Sequence, residues 1–191
     1  MKILIIGAPR SGNHKVMGYI EENTRDLTIL SDNTDDLRKI DSITHNILIK
    51  SHFKLEGGWL PPDPKNWILI RTYRNDFFNQ TLSEAIAQRH QYVYNKNIDP
   101  ITPVPFILRL KDFDEGILYF RKIDQVIKSI DPKPFKAAID LTYKEICKDT
   151  FVEKLPINGK VENIKFAKTP WKKRDIILNY DIVKKHYYKT K

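Results

Sequence analysis

Apolar residues in this chain gather into short unbroken runs early on and into spaced positions later. Residues 3–6, 47–49 and 67–70 are continuous apolar runs, with no polar residue on alternate sites. An alternating strand would be wet on one face. A continuous run is dry on both, as in a parallel sheet between layers of helix. Further along, Ile107, Leu110, Phe113, Ile117, Phe120, Ile123, Ile127 and Ile130 recur at threes and fours, the period of a long amphipathic helix. Residues 76–90 read as another helix and 137–141 as a fourth strand, with Tyr143 opening the next helix. A last helix is expected over 175–188, with Ile176, Tyr180, Val183 and Tyr187 on one face. Strands alternating with helices define an α/β class: a three-layer αβα fold with a central, mainly parallel sheet. At 191 residues, without a Gly/Ser linker or internal repeat, the chain is expected to form one domain over 1–191.

The first run breaks at Gly7 and passes through Ala8-Pro9-Arg10-Ser11-Gly12 before a helical pattern begins. A strand, a glycine-bearing turn and a helix start together form a phosphate cradle, because the turn's N–H groups and the helix N-terminus point at an anion. Loops that bind ATP or GTP read G-x-x-x-x-G-K-[ST], the lysine meeting the terminal phosphates and the hydroxyl meeting magnesium. Gly7 and Gly12 have that spacing, but Asn13-His14 stand in place of the Lys-Ser/Thr pair. Lys15 comes one position late, with no hydroxyl after it. The expected ligand is therefore a nucleotide whose reactive group needs no metal. A plain strand-turn-helix unit is the alternative, its glycines serving only the turn.

Two more strands end in polar chemistry. The second run closes on Lys50-Ser51-His52, and the third on Arg71, with Arg74 and Asn79 beyond it. Open α/β sheets collect their ligands at the C-terminal edge of the strands. Taken in this order, Pro9-Arg10-Ser11-Gly12-Asn13-His14, Lys50-Ser51-His52 and Arg71/Arg74 resemble the sulfotransferases that use 3′-phosphoadenosine 5′-phosphosulfate (PAPS), over roughly the first 85 residues. The resemblance implies a P-[RK]-S-G-[TS]-[TS] loop wrapped around the 5′-phosphosulfate at residues 9–14. It implies a lysine on the sulfuryl group at Lys50 and a general base at His52. It also implies a 3′-phosphate site at Arg71 and, where the family has serine, at Asn79. Asn13-His14 depart from the family's hydroxyl pair, so the 5′-phosphate contacts must be rebuilt. The family's C-terminal R-K-G-x-x-G-D-W segment has only a faint counterpart in Lys168-Thr169-Pro170-Trp171-Lys172-Lys173-Arg174.

Charge arguments lead to the same residues. Sulfuryl transfer builds negative charge on the leaving oxygen, so cations and N–H donors aimed there lower the barrier. Arg10 and Lys50 suit that task. The acceptor loses a proton as it attacks, and a histidine, with an ordinary pKa of about 6.5, suits general-base work at neutral pH. Arg71 offers a planar fork for two phosphate oxygens. No H-x-x-x-H or paired-cysteine spacing is present to supply a metal site, and none is expected.

Residues 90–105 carry His90, Tyr92, Tyr94 and three prolines, a loop long enough for the acceptor side of the site. The net charge is +9, and 160–191 hold ten of the 33 Lys and Arg residues against three acids. Such a basic segment attracts a polyanionic ligand, or serves as a solvated tail. No zinc-finger, helix-turn-helix or RNP signature points to nucleic acid. One cysteine, Cys147, forms no intramolecular disulfide, and the chain enters its first strand directly from Met1-Lys2, without an apolar span of bilayer length. A cytoplasmic, PAPS-dependent sulfotransferase is the expectation, yielding 3′,5′-adenosine bisphosphate and acting on a small-molecule or glycan acceptor. A nucleotide or metabolite kinase with a degenerate loop, and a non-catalytic nucleotide- or nucleic-acid-binding protein, are its rivals.

Overall fold

A computed structural model describes residues 1–31, 37, 40, 43–89, 103–159 and 172–190. Five strands form one sheet: β1 (Lys2–Gly7), β2 (Leu27–Ser31), β3 (Asn46–His52), β4 (Trp67–Tyr73) and β5 (Ala137–Thr142). Their order is β2-β3-β1-β4-β5, and every pair is parallel. The described helices are α1 (Asn13–Asn23), α2 (Phe77–Arg89), α3 (Leu110–Ser129), α4 (Tyr143–Cys147), α5 (Lys173–Ile176) and α6 (Tyr180–Lys189). This is the three-layer α/β architecture expected from the apolar runs. It divides into two compact units, Met1–Asn75 with Lys122–Ile164 and Asp76–Arg121 with Lys165–Lys191.

The first unit holds the sheet. Ile3, Ile5, Leu48, Ile68 and Ile70 pack on one face with Val16, Tyr19 and Ile20 of α1 and with Ile146, Phe151 and Leu155. On the opposite face Leu4, Ile6, Ile47, Ile49 and Leu69 are just as buried. Burial on both faces is why the strands read as unbroken apolar runs. Tyr19 meets Phe151 edge to face, with ring centroids 5.5 Å apart, and its hydroxyl donates toward the Ile157 and Gly159 carbonyls. β1 lies centrally, with the chain leading from it to the β2 side and from β4 to the β5 side. That divergence makes the C-terminal ends of β1 and β4 a topological switch point, where α/β sheets bind ligands.

In the second unit Phe78, Leu82 and Ile86 of α2 pack with Phe113 and Ile117 of α3 and with Val183 and Tyr187 of α6. The single helix expected over 175–188 is instead two, α5 and α6. Backbone groups between them turn to the segment at 106–108. The Phe106 N–H donates to the Ile176 carbonyl at 2.8 Å, and the Leu178 N–H to the Phe106 carbonyl at 2.9 Å. Asn179 then uses its amide to accept from the Leu108 N–H and donate to the Leu108 carbonyl. The second strand, β2, has no counterpart among the expected elements. It sits at the sheet edge, where a short and partly polar run suffices.

A capping box starts α4. The Thr142 hydroxyl accepts from the Glu145 N–H, and the Glu145 carboxylate accepts from the Thr142 N–H at 2.7 Å. Lys154 adds an ion pair at 2.6 Å. The Lys154 ammonium and then the Thr142 donors hold the Glu145 carboxyl down to about 2. A carboxyl depressed in the folded state stabilises it above its unfolded value and loses that contribution as pH falls. Wild type should therefore lose stability between pH 4.5 and about 2 more steeply than Glu145→Gln, as read by urea unfolding at each pH. Parallel profiles would exclude the Glu145 contribution.

Candidate functional site

Gly7 ends β1, in register with His52 of β3 on one side and Thr72 of β4 on the other. Beyond it Arg10 and Gly12 take positive φ, 63° and 99°. The loop between is tied by a buried polar knot. Two hydroxyl protons, from Ser11 and Thr72, serve the Ala8 carbonyl (2.7 Å from Ser11 Oγ), Asn13 Oδ1 and each other's oxygen at 2.6 Å. Asn13 donates its amide to the Gly7 carbonyl at 3.3 Å. Ser11, Asn13 and Thr72 are all at least 96% buried. Their side chains thus shape the loop from inside, while the backbone N–H groups of Asn13 and His14 open α1, where helix geometry gives them no intrahelical acceptor.

The loop is braced from outside as well. Arg74 donates from Nη1 to the Arg10 carbonyl at 3.0 Å, and its guanidinium lies over the Tyr143 ring at 4.0 Å. Burial pushes the Tyr143 phenol up, against the opposing pull of the Arg74 charge. Ile146 of α4 closes on Gly12, where an added Cβ would come within 2.9 Å of its Cδ1. Lys15, the lysine one place late for an ATP loop, forms an ion pair with Asp149 at 2.5 Å.

Of the expected ligands, Lys50 reaches the start of α1. Its Nζ lies 2.9 Å from His14 Nε2. Pro9 and Arg10 are half-buried in the loop. His52 occupies the last position of β3, and its side chain lies outside the described part of the chain. So do His90, Tyr92, Tyr94, Lys168 and Trp171, with most of the loop at 90–105 and of the basic segment at 160–191.

Arg71 is held by a carboxylate of the neighbouring strand. Its Nε and Nη2 grip both oxygens of Asp140, at 2.7 and 2.9 Å, and Nη1 donates to the Ile130 carbonyl at 3.0 Å. The hydrogen bond to Asp140 raises the Arg71 pKa further, outweighing the effect of burial. The planar fork that suits a phosphate is therefore filled by a β5 carboxylate, itself half-exposed. Burial, and next the Asp140 charge, also push the Tyr73 phenol up.

In the second unit, Asp76 accepts from the Asn79 N–H and amide in the first turn of α2. Lys173 donates to both the carbonyl and Oδ1 of Asn79, each at 3.0 Å. Asn79 and Lys173 line an open cleft of about 310 Å³ with Lys172, Arg174, Tyr180 and Lys184. Sequence reasoning marked Lys172-Lys173-Arg174 as basic but missed their meeting with Asn79, and it also missed Thr72 and Asp140. Thr72 had a legible signal, since it shares the β4 face of Ile68 and Ile70 and lies next to the strand's last residue, beside the loop.

Comparison with protein-family models and with curated protein sequences gives no match. Among solved structures, the fold is similar to that of mouse sulfotransferase SULT7A1 complexed with PAP, with a TM-score of 0.53 and 19% sequence identity. The likeness covers 88% of this chain, which spans 60% of that protein's chain. It shows a sulfotransferase-like fold. Among the described residues, no helix is long and apolar enough to cross a membrane.

The knot generates a stability prediction. Thr72→Val keeps the shape but removes the hydroxyl shared with Ser11 and Asn13, stranding buried oxygens. It should destabilise the chain by about 1–3 kcal/mol in urea unfolding. A change within about 0.5 kcal/mol would mean the hydroxyl is dispensable.

Proposed function

We propose that this chain is a sulfotransferase, moving a sulfuryl group from PAPS to a hydroxyl or amine of its acceptor without a metal. The observation that carries the reading is the loop at the end of β1, held in shape by its buried polar knot. It leads into the N-terminus of α1, and the ammonium of Lys50 lies beside the His14 ring in that first turn. The sulfotransferase-like fold supports the same reading.

Fit to the donor rests on the loop itself. A Cβ at Gly7 would fall 2.6 Å from Asn13 Oδ1 and from Ser11 Oγ, so the absence of one permits the tight turn. An 11-residue helix begins there, long enough to present a positive N-terminus to a 5′-phosphosulfate. PAPS supplies an activated sulfuryl group on a phosphate leaving group. Residues 9–14 bind that group through backbone N–H donors, while Arg10 and Lys50 neutralise charge at the leaving oxygen. His52 takes the acceptor's proton. Arg71 would meet a 3′-phosphate only in exchange for Asp140. Asn79 belongs to a cationic cleft of its own unit, suited to a phosphate.

Thermal unfolding with 3′,5′-adenosine bisphosphate or with ATP, with and without magnesium, tests the reading. The bisphosphate alone should stabilise the chain by about 2.7 kcal/mol at a hundredfold excess over its Kd, independently of magnesium. Stabilisation by Mg-ATP alone would assign the loop to a kinase, and no response to either would point to a different binding module. A second measurement isolates the base. His52→Ala should lower sulfuryl transfer by roughly 10²–10⁴-fold while bisphosphate affinity stays within about threefold. Turnover at the wild-type rate would remove His52 from that role.

A further inference from the structure

Two residues of the loop after β1 lie in the left-handed region, Arg10 at φ 63° and Gly12 at φ 99°. Glycine enters that region freely, whereas an arginine is strained there and stays only where its surroundings hold it. One short segment of the same unit backs the loop at both residues and once more beyond them. Tyr143 of α4 has its ring 4.0 Å from the Arg74 guanidinium, whose Nη1 donates to the Arg10 carbonyl at 3.0 Å. Ile146, one turn along α4, closes on Gly12, where an added Cβ would come within 2.9 Å of its Cδ1. Asp149, past the end of α4, holds Lys15 of α1 at 2.5 Å. Positions 143, 146 and 149 thus back positions 10, 12 and 15 in the same order, the first of them through Arg74.

We infer that Tyr143 is a positioning residue for anion binding. Its ring steadies Arg74, Arg74 holds the Arg10 carbonyl, and the N–H groups of the loop keep the direction that an anion needs. The inference rests on the donor-binding reading above and adds to it a residue that lies outside every motif used there.

A π face attracts a cation most where water is excluded, and Arg74 is only 7% exposed. The ring itself is carried on a fixed support. The Thr142–Glu145 capping box and the Glu145–Lys154 ion pair anchor the start of α4 without involving the loop. Arg10 and Arg74 have further partners as well, so Tyr143 tunes the loop and does not hold it alone. Loss of the ring should therefore weaken anion binding by a modest factor and leave the fold in place.

Two probes, 3′,5′-adenosine bisphosphate and inorganic pyrophosphate, test this in the full chain. Both carry phosphates, and only the first carries a nucleoside. Affinity is read from the backbone ¹H–¹⁵N signals of residues 10–15, so that binding at other basic segments does not enter. Urea unfolding first establishes that each variant is folded at the temperature of the titration. Tyr143→Leu should weaken both probes by roughly three- to tenfold, and Tyr143→Phe, which keeps a ring beneath the guanidinium, by less than about twofold. Should Tyr143→Leu fail to fold, Tyr143→Met takes its place with the same expectation. Arg74→Met should weaken both probes at least as much. Adding Tyr143→Leu to Arg74→Met should cost nothing further, because the two residues act along one path. Weaker binding of the bisphosphate with pyrophosphate unchanged would make the ring a direct contact of the nucleoside and overturn the positioning role. Unchanged affinity for both probes, beside a loss of stability, would overturn it as well. Wild type that binds pyrophosphate but not the bisphosphate overturns the donor reading, and Tyr143 is then judged on pyrophosphate alone. Binding of neither probe overturns both.

Discussion

The missing Cβ at Gly7 is the constraint on which the site depends. Into the space it leaves come Ser11 Oγ, Asn13 Oδ1 and Thr72 Oγ1, the last of which an alanine methyl would displace outright. Because those three atoms meet there, the loop turns sharply, β4 is fastened to it, and α1 leaves in a fixed direction. Buried polar groups that satisfy one another rigidify a structure and leave little freedom to reorganise. In catalytic terms this is preorganisation: the N–H donors at the start of α1 are aimed before a ligand is bound.

The two arginines after the third apolar run illustrate how a shared motif divides its labour. Arg74 reaches the Arg10 carbonyl and stacks on the Tyr143 ring, so it serves as a strut for the loop. Arg71 lies within β4 and joins it to β5 through Asp140, its neighbour in register. Arg74 lies one residue past the end of β4, where the pleat no longer sets the direction of a side chain. The motif spacing carries no information about where the strand ends.

How much of this was legible in the sequence follows from the range of the interactions involved. Unbroken apolar runs announced β1, β3 and β4 because burial on both faces removes alternation. The turn was legible because Gly7 and Gly12 are local requirements of the backbone. The long helix α3 showed itself through period alone, since Phe113, Ile117, Phe120, Ile123 and Ile127 are all buried. Contacts between residues distant in sequence were not legible. Asp140 lies 69 residues from Arg71, and Thr72 lies 61 from Ser11. The break between α5 and α6 was hidden for the same reason, because it is made by Phe106 and Leu108, some 70 residues away.

Lys15 and Asp149 carry an implication for the loop's ancestry and for its engineering. An ATP-type loop would need a lysine at position 13 and a hydroxyl at position 14. Asn13 is 96% buried and is bonded to the Gly7 carbonyl and Thr72, so a lysine there would bring a charge into the knot and undo it. Lys15, meanwhile, is no spare copy waiting to be shifted, because it neutralises Asp149, a residue held at φ 64°. A hydroxyl at position 14 would leave both the knot and this ion pair in place, so the lysine is the barrier: at position 13 it breaks the knot, and moving Lys15 leaves Asp149 without its ion-pair partner.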